Sequence, residues 1–266
     1  MAFIRLLHGT AAGQSRIEDL RWIEESGTYL LKDSNGAIRI GVGMALLLGD
    51  QARRGEYLSE GVESPATEAI LYDIDNEVAV YFEYYPTGYI RDEDWKAIDA
   101  DAMMRGFIES AETANMEHAG RDRQQLRITG WVTKPYYDKR RNSISMSIAL
   151  EAGHDKIVNS SVLKLGRYGY ERITWVGTAD QYGWSDRLLE TVVQNHSFDP
   201  GHRYKDYRDG DSVADFSMVG LVSAVALSKS PRAGFAILKL LRKFWVLIVG
   251  ALAALGLGGR RAFSGR

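Results

Sequence analysis

Short stretches in which apolar and polar residues alternate dominate the first two thirds of the chain. Residues 143–151 show the pattern most cleanly, with isoleucine, methionine and leucine at the even positions and serine at three of the odd ones. A period of two is typical of a strand whose two faces meet different surroundings. Further strands, separated by turn-forming residues, are predicted at 28–32, 37–41, 68–72, 77–85, 125–133, 156–165 and 170–177.

The spacing of apolar residues changes to three and four between residues 94 and 118. Trp95, Ile98 and Phe107 recur at this interval, which predicts a long amphipathic helix. A second helix is predicted over residues 179–194, with leucine and valine on one side. Each helix therefore has one apolar side that can pack against a sheet.

These elements predict an α+β fold: an antiparallel sheet meander with two or more packed helices. We expect one globular domain over residues 26–210. Residues 1–25 form an N-terminal segment to which the pattern assigns no element. Residues 211–243 are predicted to form juxtamembrane helices that lead to a membrane anchor.

The anchor is predicted from sixteen consecutive uncharged residues, 244–259, with basic residues on both sides. As a helix they rise about 24 Å, against a hydrocarbon core of about 30 Å. Flanking lysines and arginines, including those of the basic tail 260–266, can extend to the headgroups and make up the difference. We therefore predict a C-terminal transmembrane helix. Its apolar side chains would contact lipid: Phe244, Trp245, Val246, Leu247, Ile248, Val249, Leu252, Leu255 and Leu257.

Charge is divided unevenly along the chain. Of the 33 basic residues eight follow Asp215, which leaves 25 in residues 1–215 beside all 35 acidic residues, a net charge of −10. An acidic body repels phosphate, so we expect no nucleic acid among its partners. The basic C-terminal part instead suits a bilayer that contains anionic lipids.

Two features predict on which side of the inner membrane the body lies. The first residues of the chain lack an apolar stretch of the length that a secretory signal needs. Five basic residues precede the predicted span and three follow it, and positive charge favours the cytoplasmic side. Both features predict a cytoplasmic body that is tethered once, at its C-terminus; the alternative for the first feature is a true start upstream of Met1 that includes a signal.

The chain contains no recognisable catalytic motif. It has no cysteine, which excludes disulfides, thiolate nucleophiles and cysteine-ligated zinc. It shows no nucleophile elbow, phosphate-binding loop or dinucleotide fingerprint, and no histidine pair has metal-ligand spacing, so we expect no metal and no cofactor. We interpret the histidines as solvated or turn residues: His8, His118, His154, His196 and His202.

Two groups of residues are candidate ligand sites. Trp131, Tyr137 and Asp138 lie near the end of a predicted strand and would line a groove, although the same residues also suit a core and a turn. Asp206 and Asp211 belong to the densest group of carboxylates. Their spacing is not that of a calcium loop, and capping of a following helix is the simpler interpretation.

Five motifs follow one another in order along the chain. They are Gly88-Tyr-Ile-Arg-Asp-Glu-Asp94; Gly130-Trp131 with Pro135, Tyr137 and Asp138; Val158-Asn159 with Leu165-Gly-Arg-Tyr-Gly169; Phe198-Asp-Pro-Gly-His-Arg-Tyr204 with Asp206 and Asp211; and Lys243-Phe-Trp-Val-Leu-Ile248. In this combination the chain resembles a family of bacterial membrane-anchored proteins defined by a domain of unknown function. The resemblance implies membrane anchoring and no particular activity. Family members usually begin with a secretory signal, so it also implies a periplasmic body.

These features together predict a non-enzymatic, membrane-anchored interaction or scaffold domain of the bacterial envelope. Its partners would be the lipid bilayer and other envelope proteins. Two alternatives remain open. One is a membrane-tethered hydrolase that uses the carboxylates of residues 92–101 or 206–215, which would have to meet in one cleft. The other is a soluble protein in which residues 244–259 pack into the core.

Overall fold

The computed structural model describes residues 17–60, 63–117 and 125–226. The strands in these ranges are β1 (Gly27–Leu31), β2 (Gly36–Ile40), β3 (Met44–Leu48), β4 (Thr67–Asp73), β5 (Val78–Tyr85), β6 (Leu126–Asp138), β7 (Ser143–Ala152), β8 (Asp155–Leu165), β9 (Tyr170–Thr178) and β10 (His196–Phe198). The α-helices are α1 (Asp50–Glu60), α2 (Ala100–Glu117), α3 (Ala179–Asn195) and α4 (Met218–Ala226). Short 3-10 turns occur at Ile17–Asp19, Trp95–Ala97 and Tyr204–Asp206.

A seven-stranded antiparallel sheet has the order β3-β4-β5-β9-β8-β7-β6. Most of its neighbouring strands are also neighbours in sequence. The exception is the pairing of β5 with β9, which places Glu83 opposite Arg172 and Tyr85 opposite Tyr170. This long-range pairing joins the meander β3–β5 to the meander β6–β9, so that β9 lies in the centre of the large sheet.

A smaller sheet has the order β1-β2-β10. Strand β10 pairs with β2 so that His196 lies opposite Ile38 and Phe198 lies opposite Gly36. A Cβ atom at Gly36 would lie 2.9 Å from the carbonyl oxygen of Ser197, so glycine allows the two strands to approach. The small sheet thus joins the start of the domain to the residues that follow α3.

Strand β7 shows how the alternating pattern is used. Its even-numbered apolar side chains, such as Ile144 and Ile148, are buried in a core that also contains residues of α2 and α4. Its serines face the opposite layer, where the hydroxyl of Ser160 donates to that of Ser147 at 2.7 Å. Both faces of the central strands are therefore covered, and the polar face of β7 is not a solvent face.

On that second face, α3 and the small sheet cover the large sheet. Ile38, Phe82, Trp175 and Val192 come from the two sheets and from α3, and each is at most 2% exposed. Burial of one such side chain contributes about 1.5–3 kcal/mol. The interlayer core is therefore what holds the small sheet in place.

The predicted α+β class, with an antiparallel sheet and several helices, is confirmed. The sequence pattern does not predict α1. It also does not predict β3, because β3 is a continuous apolar run without alternation. The helix predicted from residue 94 corresponds to α2, which begins only at Ala100. It begins there because the Asp99 carboxylate accepts hydrogen bonds from the amides of Asp101 and Ala102 and caps the first turn.

The end of the described chain joins the core. Within the segment predicted as juxtamembrane helices, α4 buries Met218, Leu221 and Val222 beside α2. Across the ranges that the structure describes, no helix is both long and apolar enough to cross a bilayer. The predicted anchor, residues 244–259, lies outside those ranges, as do the basic tail, His8 and His118.

A substitution at Gly169 tests the close approach of β9 to the end of β5. A Cβ atom there would collide with the carbonyl oxygen of Tyr85, a backbone atom that cannot rotate aside. We expect Gly169→Ala to lower the free energy of unfolding by at least about 1–3 kcal/mol, measured by urea denaturation.

The control for this experiment is Gly183→Ala in α3. Apart from its chain neighbours and the backbone of its own helix, no described atom lies within 4 Å of the added carbon. Because alanine favours a helix, the free energy of unfolding should rise by about 0.5–1 kcal/mol. A Gly169→Ala protein as stable as the wild type would contradict the packing described for this strand end.

Candidate functional site

The aromatic candidates take part in packing contacts of the fold. The indole of Trp131 donates to the carbonyl oxygen of Ala100 at 3.1 Å and packs edge-on against Phe107. Tyr137 is buried, and its hydroxyl donates to the Asp92 carboxylate at 2.7 Å. These contacts attach α2 and the loop before it to β6.

The acidic candidates accept hydrogen bonds from separate groups. Asp138 accepts from two amides of the turn that follows β6. Asp206 accepts from the amide of Gly201 at 2.8 Å, which lowers the pKa of the carboxyl. Asp211 forms a bidentate ion pair with Arg167, with both nitrogen–oxygen distances 2.7 Å, and these hydrogen bonds lower its pKa. The structure therefore places the three carboxylates in three different contacts.

The second acidic group, residues 92–101, is distributed in the same way. Asp92 accepts from Tyr137, Asp94 accepts from the start of α4, and Asp99 caps α2. In the described ranges, no three His, Asp or Glu side chains are arranged to hold a metal ion. Each of these three carboxylates therefore accepts hydrogen bonds from a different donor group of the fold.

A different set of polar side chains meets between the two sheets. Ser34, Glu68, Lys164, Glu171 and His196, here called the interlayer cluster, come from the β1–β2 turn, β4, β8, β9 and β10. All except Lys164 are at most 3% exposed. Buried polar atoms are normally hydrogen-bonded. Of eight buried side-chain atoms without a partner in the described residues, six belong to this cluster, which makes it the candidate site.

Glu68 connects β4 to the small sheet. Its Oε2 atom accepts hydrogen bonds from the amides of Asp33 at 3.0 Å and Ser34 at 3.1 Å. The pairing of β4 with β5 has a bulge between Thr67 and Ala69, where a strand can re-aim a side chain. One carboxylate therefore anchors the β1–β2 turn to the large sheet.

Glu171, in the central strand β9, is fully buried, and neither of its carboxylate oxygens has a hydrogen-bond partner in the described residues. Burial, and then the charge of Glu68, hold the pKa of Glu171 well above its usual range. Burial therefore favours the neutral, protonated form of the Glu171 carboxyl group.

Lys164 is the cross-strand neighbour of Glu171 on β8. Its ammonium group donates to the carbonyl oxygen of Val193 at 2.9 Å and to that of His196. A helix C-terminus has unpaired carbonyls and partial negative charge, so a lysine is favoured at the end of α3. Burial, and then the charge of Arg141, lower the pKa of Lys164 to about 8.

His196 is the first residue of β10, with the rings of Phe82 and Phe198 centred 6.1 and 5.2 Å from its own. The prediction of a solvated or turn histidine is wrong here, because the pairing of β10 with β2 carries His196 into the core. Burial holds its pKa well below the usual range, so the ring is neutral. His154 and His202 lie in turns, as predicted.

Arg172, which follows Glu171, is buried on the opposite face of the sheet. Its guanidinium group donates to Glu83 Oε2 at 2.8 and 2.6 Å and to the Tyr85 hydroxyl at 2.6 Å. Both charged side chains of this ion pair are at most 1% exposed. Arg172 is thus committed to Glu83 and does not neutralise Glu171.

The interlayer cluster can hold a proton, but it is not arranged as a nucleophile and base. The Ser34 hydroxyl oxygen and both His196 ring nitrogens have no hydrogen-bond partner in the described residues, so they do not bond to each other. One sequence signal could have indicated the cluster: Glu171 and Arg172 are consecutive charged residues in a strand that is otherwise uncharged. The signal is usable only once β9 is known to be central.

Comparison with known proteins identifies the family. The family described as "Protein of unknown function (DUF2167)" matches residues 23–253, so the chain belongs to this family. The prediction that the chain belongs to a family defined by a domain of unknown function is thereby confirmed. A search of curated proteins finds no match. Among solved structures the chain is similar to cyanobacterial PsbP (CyanoP) from Synechocystis sp. PCC 6803, with 12% identity and a TM-score of 0.42 over 72% of this chain and 98% of that one.

The Arg167–Asp211 ion pair gives a test with a defined pH dependence. The pKa of Asp211 is lowered by hydrogen bonds from Arg167, so the pair stabilises the fold above the unfolded-state pKa of 3.8. This stability is lost as the pH falls through the lower pKa of the folded state. We expect Asp211→Asn to reduce the urea midpoint at neutral pH, with the difference from the wild type shrinking in acid.

Asp209→Asn is the matched control, because Asp209 is exposed and lies in the same loop. It should leave the urea midpoint unchanged at neutral pH. Equal effects of the two substitutions, or an Asp211→Asn effect that is undiminished in acid, would rule out the ion pair as the source of the stability.

Proposed function

We propose that this member of the DUF2167 family is a membrane-tethered interaction domain of the bacterial envelope. In this proposal the α+β body is held on the inner membrane by residues 244–259. The observation that carries it is the run of sixteen uncharged residues between basic flanks, in a chain whose body is acidic. The proposal has two parts, the tether and the interaction role, and different observations support each.

The tether is supported by transfer energies. Leucine, isoleucine, phenylalanine and valine each favour the centre of a membrane helix by roughly 0.3–0.6 kcal/mol, and the segment contains eight of them. Basic residues on both flanks can reach the headgroups. The family match runs to residue 253 and so takes in residues 244–253 of the segment.

The interaction role is supported by the way the candidate side chains are used. Trp131, Tyr137, Asp206 and Asp211 each have a hydrogen-bonding partner within the fold. Apart from Lys164, the side chains of the interlayer cluster are buried, and its Ser34 and His196 groups do not pair. A stable domain with these features is better suited to binding another protein than to hydrolysis.

The distribution of charge along the chain supports a position of the body away from the lipid surface. Residues 1–215 carry a net charge of −10, whereas all eight charged residues after Asp215 are basic. Anionic headgroups attract the basic part and repel the body. The body would therefore stand away from the bilayer and be accessible to other envelope proteins, with those of basic surface favoured by complementarity.

Membrane fractionation tests the tether. We expect the full-length chain to remain in the membrane pellet after a carbonate wash. Leu247→Arg combined with Leu252→Arg should release it to the supernatant, because each arginine at the centre of a span costs about 2.5–3.5 kcal/mol. Leu247→Ala combined with Leu252→Ala is the control and should stay in the pellet. Recovery of the wild-type chain in the supernatant would defeat the tether.

A topology reporter fused after Arg266 decides the side of the membrane. The charge distribution around the span predicts a cytoplasmic body, so the reporter should be active on the periplasmic side. The family resemblance predicts the reverse arrangement. A reporter active only in the cytoplasm would place the body in the periplasm and overturn the prediction from charge.

A further inference from the structure

We propose that a water molecule is bound between the two sheets, where it bridges the Ser34 hydroxyl and the Nε2 atom of His196. The site belongs to the interlayer cluster and joins the β1–β2 turn to β10, two segments that are far apart in sequence. The inference does not depend on the membrane tether or on the interaction role. It rests on buried polar atoms without a partner, on the space that Gly36 leaves beside them, and on the distances around that space.

Two buried side chains supply the polar atoms of the site. Ser34 and His196 are each 1% exposed, so bulk solvent does not reach them. The Ser34 Oγ atom and both ring nitrogens of His196 have no hydrogen-bond partner in the described residues. A buried polar atom without a hydrogen bond costs free energy, so native proteins pair almost all such atoms with protein groups or with ordered water. The two side chains therefore need a partner that is small enough to enter a closed interior.

Gly36 leaves room for that partner on the inner face of β2. Ile38, two residues on, is fully buried, and alternate residues of a strand face the same side. Apart from chain neighbours, a Cβ atom at Gly36 would have three polar atoms as its nearest contacts: the Ser197 carbonyl oxygen at 2.9 Å, Ser34 Oγ at 3.1 Å and His196 Nε2 at 3.5 Å. Polar groups of the turn and of β10 thus converge on the space in front of a residue without a side chain.

The same distances limit how far apart the two side-chain atoms lie. Ser34 Oγ and His196 Nε2 are 3.1 and 3.5 Å from one point, so their separation is no more than 6.6 Å, the sum of the two distances. They do not hydrogen-bond to each other. One water oxygen with two hydrogen bonds of about 2.8 Å spans atoms up to about 5.6 Å apart. The permitted separation therefore includes the range that a single water molecule bridges.

Water matches the chemistry of the groups that surround this space. In a neutral imidazole one nitrogen donates and the other accepts, and a serine hydroxyl does either. Water both donates and accepts, so it can bond to His196 Nε2 in either tautomer and to the hydroxyl of Ser34, and it can donate to the Ser197 carbonyl oxygen. Three hydrogen bonds is the usual number for a buried water molecule. A metal ion is a poorer match, because in the described ranges no three His, Asp or Glu side chains are arranged to hold one.

Removal of the Ser34 hydroxyl tests the site, because bound water reverses the sign of the effect. If the hydroxyl bonds to water, Ser34→Ala loses a hydrogen bond, and the unfolding equilibrium constant should rise by about two- to tenfold. If the hydroxyl is buried without any partner, it only costs free energy, and its removal would lower that constant or leave it unchanged. The measurement is urea denaturation of the full-length chain in detergent micelles, where we expect the Ser34→Ala midpoint to fall.

Ser197→Ala is the matched control, because Ser197 is the exposed neighbour of His196 in β10. It removes a hydroxyl from the same small sheet and keeps the backbone carbonyl, so the midpoint should stay at the wild-type value. A second measurement detects the water itself: 17O relaxation dispersion of the solvent reports long-lived internal water and not exchanged protons. Its amplitude should fall by about one water molecule per chain when Ser34→Ala is combined with His196→Phe, and Ser197→Ala should leave it unchanged.

Several outcomes would overturn the proposal. A Ser34→Ala midpoint equal to or above that of the wild type would show that the hydroxyl has no water partner. An equal dispersion amplitude in the wild type and the double variant would show that no water is held there. If the double variant does not fold, a crystal structure of the wild-type chain decides: electron density for a water oxygen within hydrogen-bonding distance of Ser34 Oγ and His196 Nε2 supports the site, and its absence rejects it. Failure of the membrane fractionation would leave these measurements unaffected, so the water site and the tether are tested separately.

Discussion

Strand β9 imposes the constraint on which much of the structure depends. It is the central strand of the large sheet, with α3 and the small sheet over one face and the other face also covered, yet it carries Glu171 and Arg172 side by side. Because successive side chains of a strand point to opposite faces, one charge is delivered to each buried layer. Neither side chain can reach water, so each layer must provide its own way to accommodate a charge.

The two layers do so by different means. Arg172 meets Glu83 and the Tyr85 hydroxyl, which is an ion pair with a further acceptor. The attraction within such a pair offsets the free-energy cost of desolvating its charges only when the remaining polar atoms are also hydrogen-bonded, as they largely are here. Glu171 has no such partner: neither of its oxygens is hydrogen-bonded in the described residues, and burial raises its pKa and so favours the neutral form.

The large sheet and the small sheet contribute differently to the proposed role of the domain. The small sheet is attached through apolar packing and through Glu68, and it is the layer made from chain segments far apart in sequence. A tethered interaction domain needs a rigid body, which the large sheet with α2 and α4 supplies.

The sequence alone determined most of the local elements and the fold class. Alternation over residues 143–151 and three-to-four spacing after residue 94 identify a strand and a helix, because these periods record which side of an element is buried. The family, the acidic body and the basic C-terminal part were also readable. The continuous apolar run of β3 was missed, since burial on both faces removes the alternation.

Only the tertiary structure decided which strands are neighbours. The pairing of β5 with β9 and of β2 with β10 joins residues far apart in the chain, and no local pattern encodes such a pairing. His196 and Glu171 therefore look like ordinary polar residues in sequence, and the carboxylates that do stand out there, Asp206 and Asp211, belong to local turns and ion pairs. Periodicity reports burial, whereas a site made by distant segments depends on the long-range register that brings them together.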